Sequence, residues 1–166
     1  MAELADLEAR IRQLEKEYRQ TRDMEAIKRV KYRYWRCLDK KTLDEIADCF
    51  TEDAVADYGP KIKLQGRKAI VDFLKDSMPR FVGVHHGHNP EIEVTSGMTA
   101  KGIWALYYNI IDVQANTVLR GWGFYEDEYA KEDGEWKIKS SKLIRTFAES
   151  WERQGKPGKW SDILGK

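Results

Sequence analysis

Outside one window of four residues this chain has no histidine, and it carries only two cysteines in 166 residues. Cys37 and Cys49 are too few for a disulfide framework. Cys37 falls in a helical pattern where a small apolar thiol packs well, and both are expected to be reduced and structural. An excess of either charge is also missing: 29 basic and 28 acidic side chains leave a formal +1. Spread along the chain, that balance gives no field able to hold a phosphate backbone and argues against nucleic acid as a partner. No apolar run approaches the ~20 residues that cross a bilayer, which excludes a membrane-spanning helix. Met1-Ala2-Glu3-Leu4-Ala5-Asp6 opens with charged helix formers where a secretory signal needs a basic start and an apolar stretch, so the expected location is cytoplasmic.

What the chain has in plenty is aromatic surface: six Trp, eight Tyr and five Phe. Most should fill a core, and the rest suit a cavity for a flat apolar ligand. The length predicts one domain, residues 1–150, followed by a tail over 151–166 whose Trp151, Trp160, Ile163 and Leu164 suggest docking.

Periodicity divides the domain into helices and then strands. Leu4, Leu7, Ile11, Leu14 and Tyr18 recur at three- and four-residue steps, a narrow helical seam. With less than three heptads its expected partner is its own domain, another subunit being the alternative. A second helix begins after Thr21-Arg22-Asp23 with Asp23 as cap, placing Met24, Ile27, Val30, Tyr34 and Leu38 on one face and Asp39 at its end. Thr42-Leu43-Asp44-Glu45 has capping-box form and opens a short helix to about Phe50. Alternation from Ala54 through Gly59-Pro60 to Leu64 predicts a small hairpin, and Arg67 to Met78 a helix stopped by Pro79. Four strands follow, Arg80–Ser96, Thr99–Asp112, Leu119–Ala130 and Glu135–Phe147, the last pair joined by Asp133-Gly134, a strong hairpin signal. The fold class expected is α+β, a cone-shaped curved antiparallel sheet wrapped around amino-terminal helices and enclosing a cavity closed by the face that bears Tyr34.

All three histidines lie in His85-His86-Gly87-His88. Histidine exchanges a proton near neutrality, so this cluster points to acid–base chemistry or metal binding. Strand alternation places His86 and His88 on the side of Val84, and His85 on the side of Gly83 and Gly87, whose missing side chains are expected to leave its ring open to a ligand. His85 is therefore the candidate working residue, with His86 and His88 structural or at the rim. His86 and His88 have the spacing to share one ion, but nothing in the sequence marks a third ligand, and core hydrogen bonding is the plain alternative for each.

Tyr34-Trp35-Arg36-Cys37-Leu38-Asp39, Ser77-Met78-Pro79, His85-His86-Gly87-His88-Asn89-Pro90-Glu91-Ile92 and Phe124-Tyr125 ahead of Asp133-Gly134-Glu135-Trp136 carry a resemblance. Up to about Glu149 the chain is similar to the bacterial bile-acid 7α-dehydratases, and more broadly to the SnoaL-like (nuclear transport factor two-like) proteins that include scytalone dehydratase and polyketide cyclases. The resemblance implies a cystatin-like cone, no metal or organic cofactor, a small-molecule steroid substrate and a small homo-oligomer such as a trimer. By matching position it implies His85 as base, Asp39 as its orienting carboxylate and Tyr34 as the donor to an enolate. Tyr58, Arg145, Tyr108 and Trp104 would line the substrate pocket.

Each role has a physical rationale. A base needs its far nitrogen held by an acceptor, and an inward phenol can stabilise a carbonyl oxygen that becomes an oxyanion. Without the resemblance, Asp39 reads equally as a solvated helix end, Tyr34 and Tyr58 as packing, and Arg145 as a rim residue. One departure stands out. Tyr108 occupies a position that is acidic in the bile-acid enzymes, and Ile103 and Tyr107 also replace polar residues, so a less acidic, more aromatic pocket is expected. The expected activity is a hydro-lyase acting on a 7-hydroxy-3-ketosteroid. The alternatives are a polyketide cyclase or ketosteroid isomerase using the same base, and a steroid- or aromatic-binding protein without catalysis.

Overall fold

Neither glycine nor proline occurs between residues 2 and 40, so no residue there interrupts a helical ladder. In the computed structural model, which describes residues 2–154, this whole stretch is one helix, α1 (Ala2–Lys40). Two helices with a break at Asp23 were expected. Asp23 caps nothing: its carboxylate accepts the indole N–H of Trp136 at 2.8 Å and pairs with Lys131, also at 2.8 Å, tying the middle of α1 to the sheet. Helix α1 ends in a Schellman turn, with Lys41 at φ 62° and the Thr42 amide bonded back to the Cys37 carbonyl at 3.1 Å.

A 3₁₀ turn (Glu45–Cys49) replaces the expected capping-box helix, and no side chain caps it. The Asp44 carboxylate bonds instead to Lys75, 2.6 Å away. Strands β1 (Phe50–Asp57) and β2 (Lys63–Gln65) form the predicted hairpin. Helix α2 (Arg67–Ser77) follows, its 3₁₀ extension Met78–Arg80 containing Pro79. Four long strands complete the chain: β3 (Phe81–Val94), β4 (Thr99–Asp112), β5 (Thr117–Glu132) and β6 (Glu135–Glu152). Asp133 and Gly134 both have positive φ, 54° and 80°, as a two-residue hairpin turn requires. Strand β6 carries Trp151 within the sheet, opposite Val118. Trp160, Ile163 and Leu164 of the expected tail lie outside the described residues.

The sheet order is β2-β1-β6-β5-β4-β3. All neighbours are antiparallel except β1 and β6, which pair parallel. The α+β class and the curved open sheet with amino-terminal helices are as expected. The inner face buries Gly102, Trp104, Leu106 and Tyr108 of β4 and Gly121, Gly123, Tyr125, Asp127 and Tyr129 of β5 against Ile27, Tyr34, Trp35 and Leu38 of α1. On the outer face His86, Tyr107, Trp122 and Phe147 form one row of directly opposed residues across β3 to β6, with ring centroids 5.1–6.0 Å apart. Among the described residues no helix is long and apolar enough to cross a membrane.

Candidate active site

The position of the site follows from one close approach. A Cβ on Gly87 would fall 1.7 Å from the Trp35 ring, so the glycine lets the indole lie directly on β3. Four residues further along α1, about 6 Å at ~1.5 Å per residue, is Asp39. Two residues back along β3, about 6.6 Å at ~3.3 Å per residue, is His85. The two pitches match, and the pair comes level. The Asp39 carboxylate takes the His85 ring Nδ1 at 2.7 Å through one oxygen and the His85 backbone N–H at 3.1 Å through the other. The glycines beside His85 therefore do not leave open space, contrary to expectation: Gly87 is filled by Trp35, and a Cβ on Gly83 would meet Ile110 at 2.7 Å.

With Asp39 as acceptor, Nδ1 carries the proton and Nε2 presents its lone pair. The His85 side chain is 10% exposed and that of Asp39 24%, so the dyad lies just beneath the surface. The carboxyl end of α1 adds a negative dipole end that stabilises positive charge developing on the ring.

Tyr34 is brought to the same interior. Its hydroxyl lies 2.9 Å from that of Tyr58, and burial, with the neighbouring phenols of Tyr125 and Tyr58 behind it, pushes its pKa well up. Burial likewise raises Tyr58 and Tyr125. These phenols stay protonated and able to donate throughout the neutral range. Arg145 donates to the Tyr58 carbonyl at 2.7 Å and to the Tyr108 hydroxyl at 3.3 Å. Tyr108 reaches it across β5, where a Cβ on Gly121 would lie 2.3 Å from the phenol oxygen. The Tyr108 ring is in turn 6.3 Å from that of His85, its register partner on β3. Asp39, His85, Tyr108, Arg145, Tyr58 and Tyr34 thus form one connected arc.

Trp104 does not join it. Fully buried, it spends its indole N–H on the Tyr129 hydroxyl at 2.9 Å and packs edge-on against Trp35. Ile103 is 40% exposed and Tyr107 belongs to the outer aromatic row, so of the three expected pocket changes only Tyr108 reaches the site. His86 and His88 are exposed on the outer face, as alternation predicts. Among the described residues no three His, Cys, Asp or Glu side chains gather around a point where a metal could sit. Tyr34, Tyr58, Tyr108 and Tyr125 are all buried in this interior. An open groove of about 1200 Å³ runs along another side of α1, past Arg22, Arg29, Arg33 and Trp136, and touches none of the arc.

Four buried residues in the same interior, Lys31, Tyr125, Asp127 and Tyr129, escaped sequence reasoning. Lys31, fully buried, lies 2.6 Å from Asp127 in an ion pair, its ammonium 3.7 Å from the centre of the Tyr125 ring. Burial lowers its pKa, against the pull of Asp127. Asp127 also accepts from the Tyr129 hydroxyl at 2.7 Å. The available signals were a lysine one turn before Tyr34 on the apolar face of α1, and the alternation Tyr125, Asp127, Tyr129 on β5, which places an acid among inward residues.

Residues 19–142 match the family model of the SnoaL-like domain. Among solved structures, the chain is similar to a protein of Novosphingobium aromaticivorans assigned as a scytalone dehydratase, at 27% identity and a TM-score of 0.75, over 84% of this chain and 95% of that one. It shares its fold with a type 2 hexachlorocyclohexane dehydrochlorinase, LinA, at 18% identity and a TM-score of 0.77, over 87% of this chain and 98% of that one. The type 3 LinA of Novosphingobium barchaimii gives 20% and 0.74, over 81% and 94%. With three quarters of its length under the family model, the chain belongs to the SnoaL-like family.

Proposed function

We propose that this protein is a hydro-lyase that eliminates water from a 7-hydroxy-3-ketosteroid of the bile-acid type. The observation that carries this is the doubly held Asp39–His85 pair, which fixes the ring so that Nε2 is free to act as a base. The structural likeness to proteins named as a dehydratase and a dehydrochlorinase supports elimination as the reaction class.

In this reading, the substrate carbonyl takes the place of the Tyr58 hydroxyl as the partner of Tyr34. His85 Nε2 removes a proton from the carbon beside the carbinol. The C–H electrons spread through the enone to the carbonyl oxygen, where the neutral phenol of Tyr34 donates to the developing oxyanion. As the electrons return to form the new double bond, the C–O bond breaks and the imidazolium hands its proton to the departing hydroxyl, which leaves as water. Asp39 stabilises the imidazolium between the two transfers. Tyr58, Tyr108 and Arg145 supply aromatic walls and one cation at the mouth, suited to a steroid nucleus with an acidic side chain.

The test is incubation of the purified protein with a 7-hydroxy-3-keto-4-ene steroid, following the extended chromophore of the diene. Turnover that is lost in His85→Ala is expected. No diene from the wild type, or an unchanged rate in His85→Ala, would overturn the reading.

A further inference from the structure

The amino-terminal half of α1 leaves the body of the protein. Leu4, Leu7, Ile11, Leu14 and Tyr18 are between 54% and 64% exposed, although their spacing led to the expectation that they would pack on their own domain. The reason is a change of phase. Leu7 and Ile27, Leu14 and Tyr34, and Tyr18 and Leu38 are each separated by 20 residues. That is about 200° around the axis at ~3.6 residues per turn. The seam of the arm therefore faces away from the stripe that packs on the sheet, and one uninterrupted helix cannot bring both to the same body. The arm also lies largely ahead of residue 19, where the family match begins.

We infer that the arm, residues 2–22, is an oligomerisation device that pairs with the arm of a second copy in a parallel, in-register coiled coil. The steps 4, 7, 11, 14 and 18 are an unbroken alternation of three and four, which puts Leu4, Ile11 and Tyr18 at the first core position of each heptad and Leu7 and Leu14 at the second. The Ile11/Leu14 heptad has the β-branched-then-leucine pattern of two-stranded coils. The flanking charges agree with that partner. In parallel register, Arg10 of one arm faces Glu15 of the other, and Glu17 faces Arg22, both attractive. Only Glu3 against Glu8, at the outer end, repels. Five acidic and five basic residues balance over 2–22, which is unlike the strongly basic face of a helix that lies on an anionic membrane.

The experiment uses the full chain. Mass measured by light scattering and sedimentation over a concentration series should show self-association in the wild type, weakened at least tenfold in Leu7→Glu/Leu14→Glu and unchanged in the control Ala9→Glu on the outward side. Leu4→Cys and Tyr18→Cys, at the two ends of the seam, should each crosslink to itself on mild oxidation, whereas Ala9→Cys should not. The native Cys37 and Cys49 are buried and do not interfere. The substituted positions lie outside the core, so retained circular dichroism and denaturation midpoint separate lost pairing from lost folding. An unchanged mass in the double variant overturns the proposal. So does crosslinking only between a Leu4→Cys copy and a Tyr18→Cys copy, which means antiparallel arms. Weakened association with no crosslink at either position also overturns it, since the seam would then meet another surface, such as the outer aromatic row of the sheet.

Discussion

At the scale of single residues, the dyad separates geometry from charge. Asp39 holds His85 through two contacts, one to the ring and one to the backbone. Replacement by Asn keeps the size and one acceptor but removes the charge that balances the imidazolium, and allows the ring to take the other tautomer. Asp39→Asn is expected to lower kcat by ~10²–10⁴-fold with little change in KM, the scale of a lost base-orienting carboxylate. Steady-state rates of diene formation, with circular dichroism as a check on the fold, measure it. The inward placement of His85, apart from His86 and His88, is legible in the sequence, because strand alternation separates it from its neighbours. The open space expected beside its ring is absent. Glycine in a strand signals a close approach, and only the fold shows that what approaches is Trp35 rather than a ligand.

At the scale of elements, the site depends on how α1 and β3 lie together. Gly87 is where they touch, and a methyl group there cannot coexist with the indole at 1.7 Å. Gly87→Ala is expected to lift α1 from β3 at a cost of about 1–3 kcal/mol, the usual range for overpacking. Because Asp39 is carried on the same helix, activity should fall by more than the loss of folded protein explains. Urea denaturation and kcat measured on one preparation distinguish this from simple destabilisation. The strands and helix α2 are legible through periodicity, whereas the boundary expected between two amino-terminal helices is absent and the expected capping-box helix is a 3₁₀ turn. The apolar stripe does change phase after Tyr18, but a change of phase alters which face is buried without breaking the ladder, and no glycine or proline is present to break it.

At the scale of the molecule, carboxylates that tie elements together set the response to acid. Asp112, at the end of β4, accepts from the amides of Gln114 and Ala115 at 3.0 Å each and pairs with Arg80, the last residue of the 3₁₀ turn ahead of β3. Burial alone would raise its pKa, but those amides and the guanidinium bring it below the ordinary 3.8. Asp23, between Lys131 and Trp136, is lowered in the same way against its own burial. A carboxyl whose folded value is depressed contributes stability that is fully present above its unfolded value and is lost as pH falls below it. The urea midpoint should therefore hold from neutrality to about pH 4 and drop below that. In Asp112→Asn the drop should be shallower from a lower starting point, and equal slopes for the two proteins would show that Asp112 does not contribute.

By itself the sequence determined the α+β class, the order of the elements, the hairpin at Asp133-Gly134 and the separation of His85 from His86 and His88, because each rests on a local period or a single turn conformation. The tertiary structure decided what is non-local. It paired Asp39 with His85 across 46 residues, closed Tyr34 onto Tyr58, left Trp104 in the core and turned Ile103 and Tyr107 outward. It also buried Lys31 beside Asp127 and sent the first seam of α1 away from its own body. Periodicity tells which residues share a face. Which neighbour that face meets depends on how helix and sheet cross in space, and no local pattern contains that crossing.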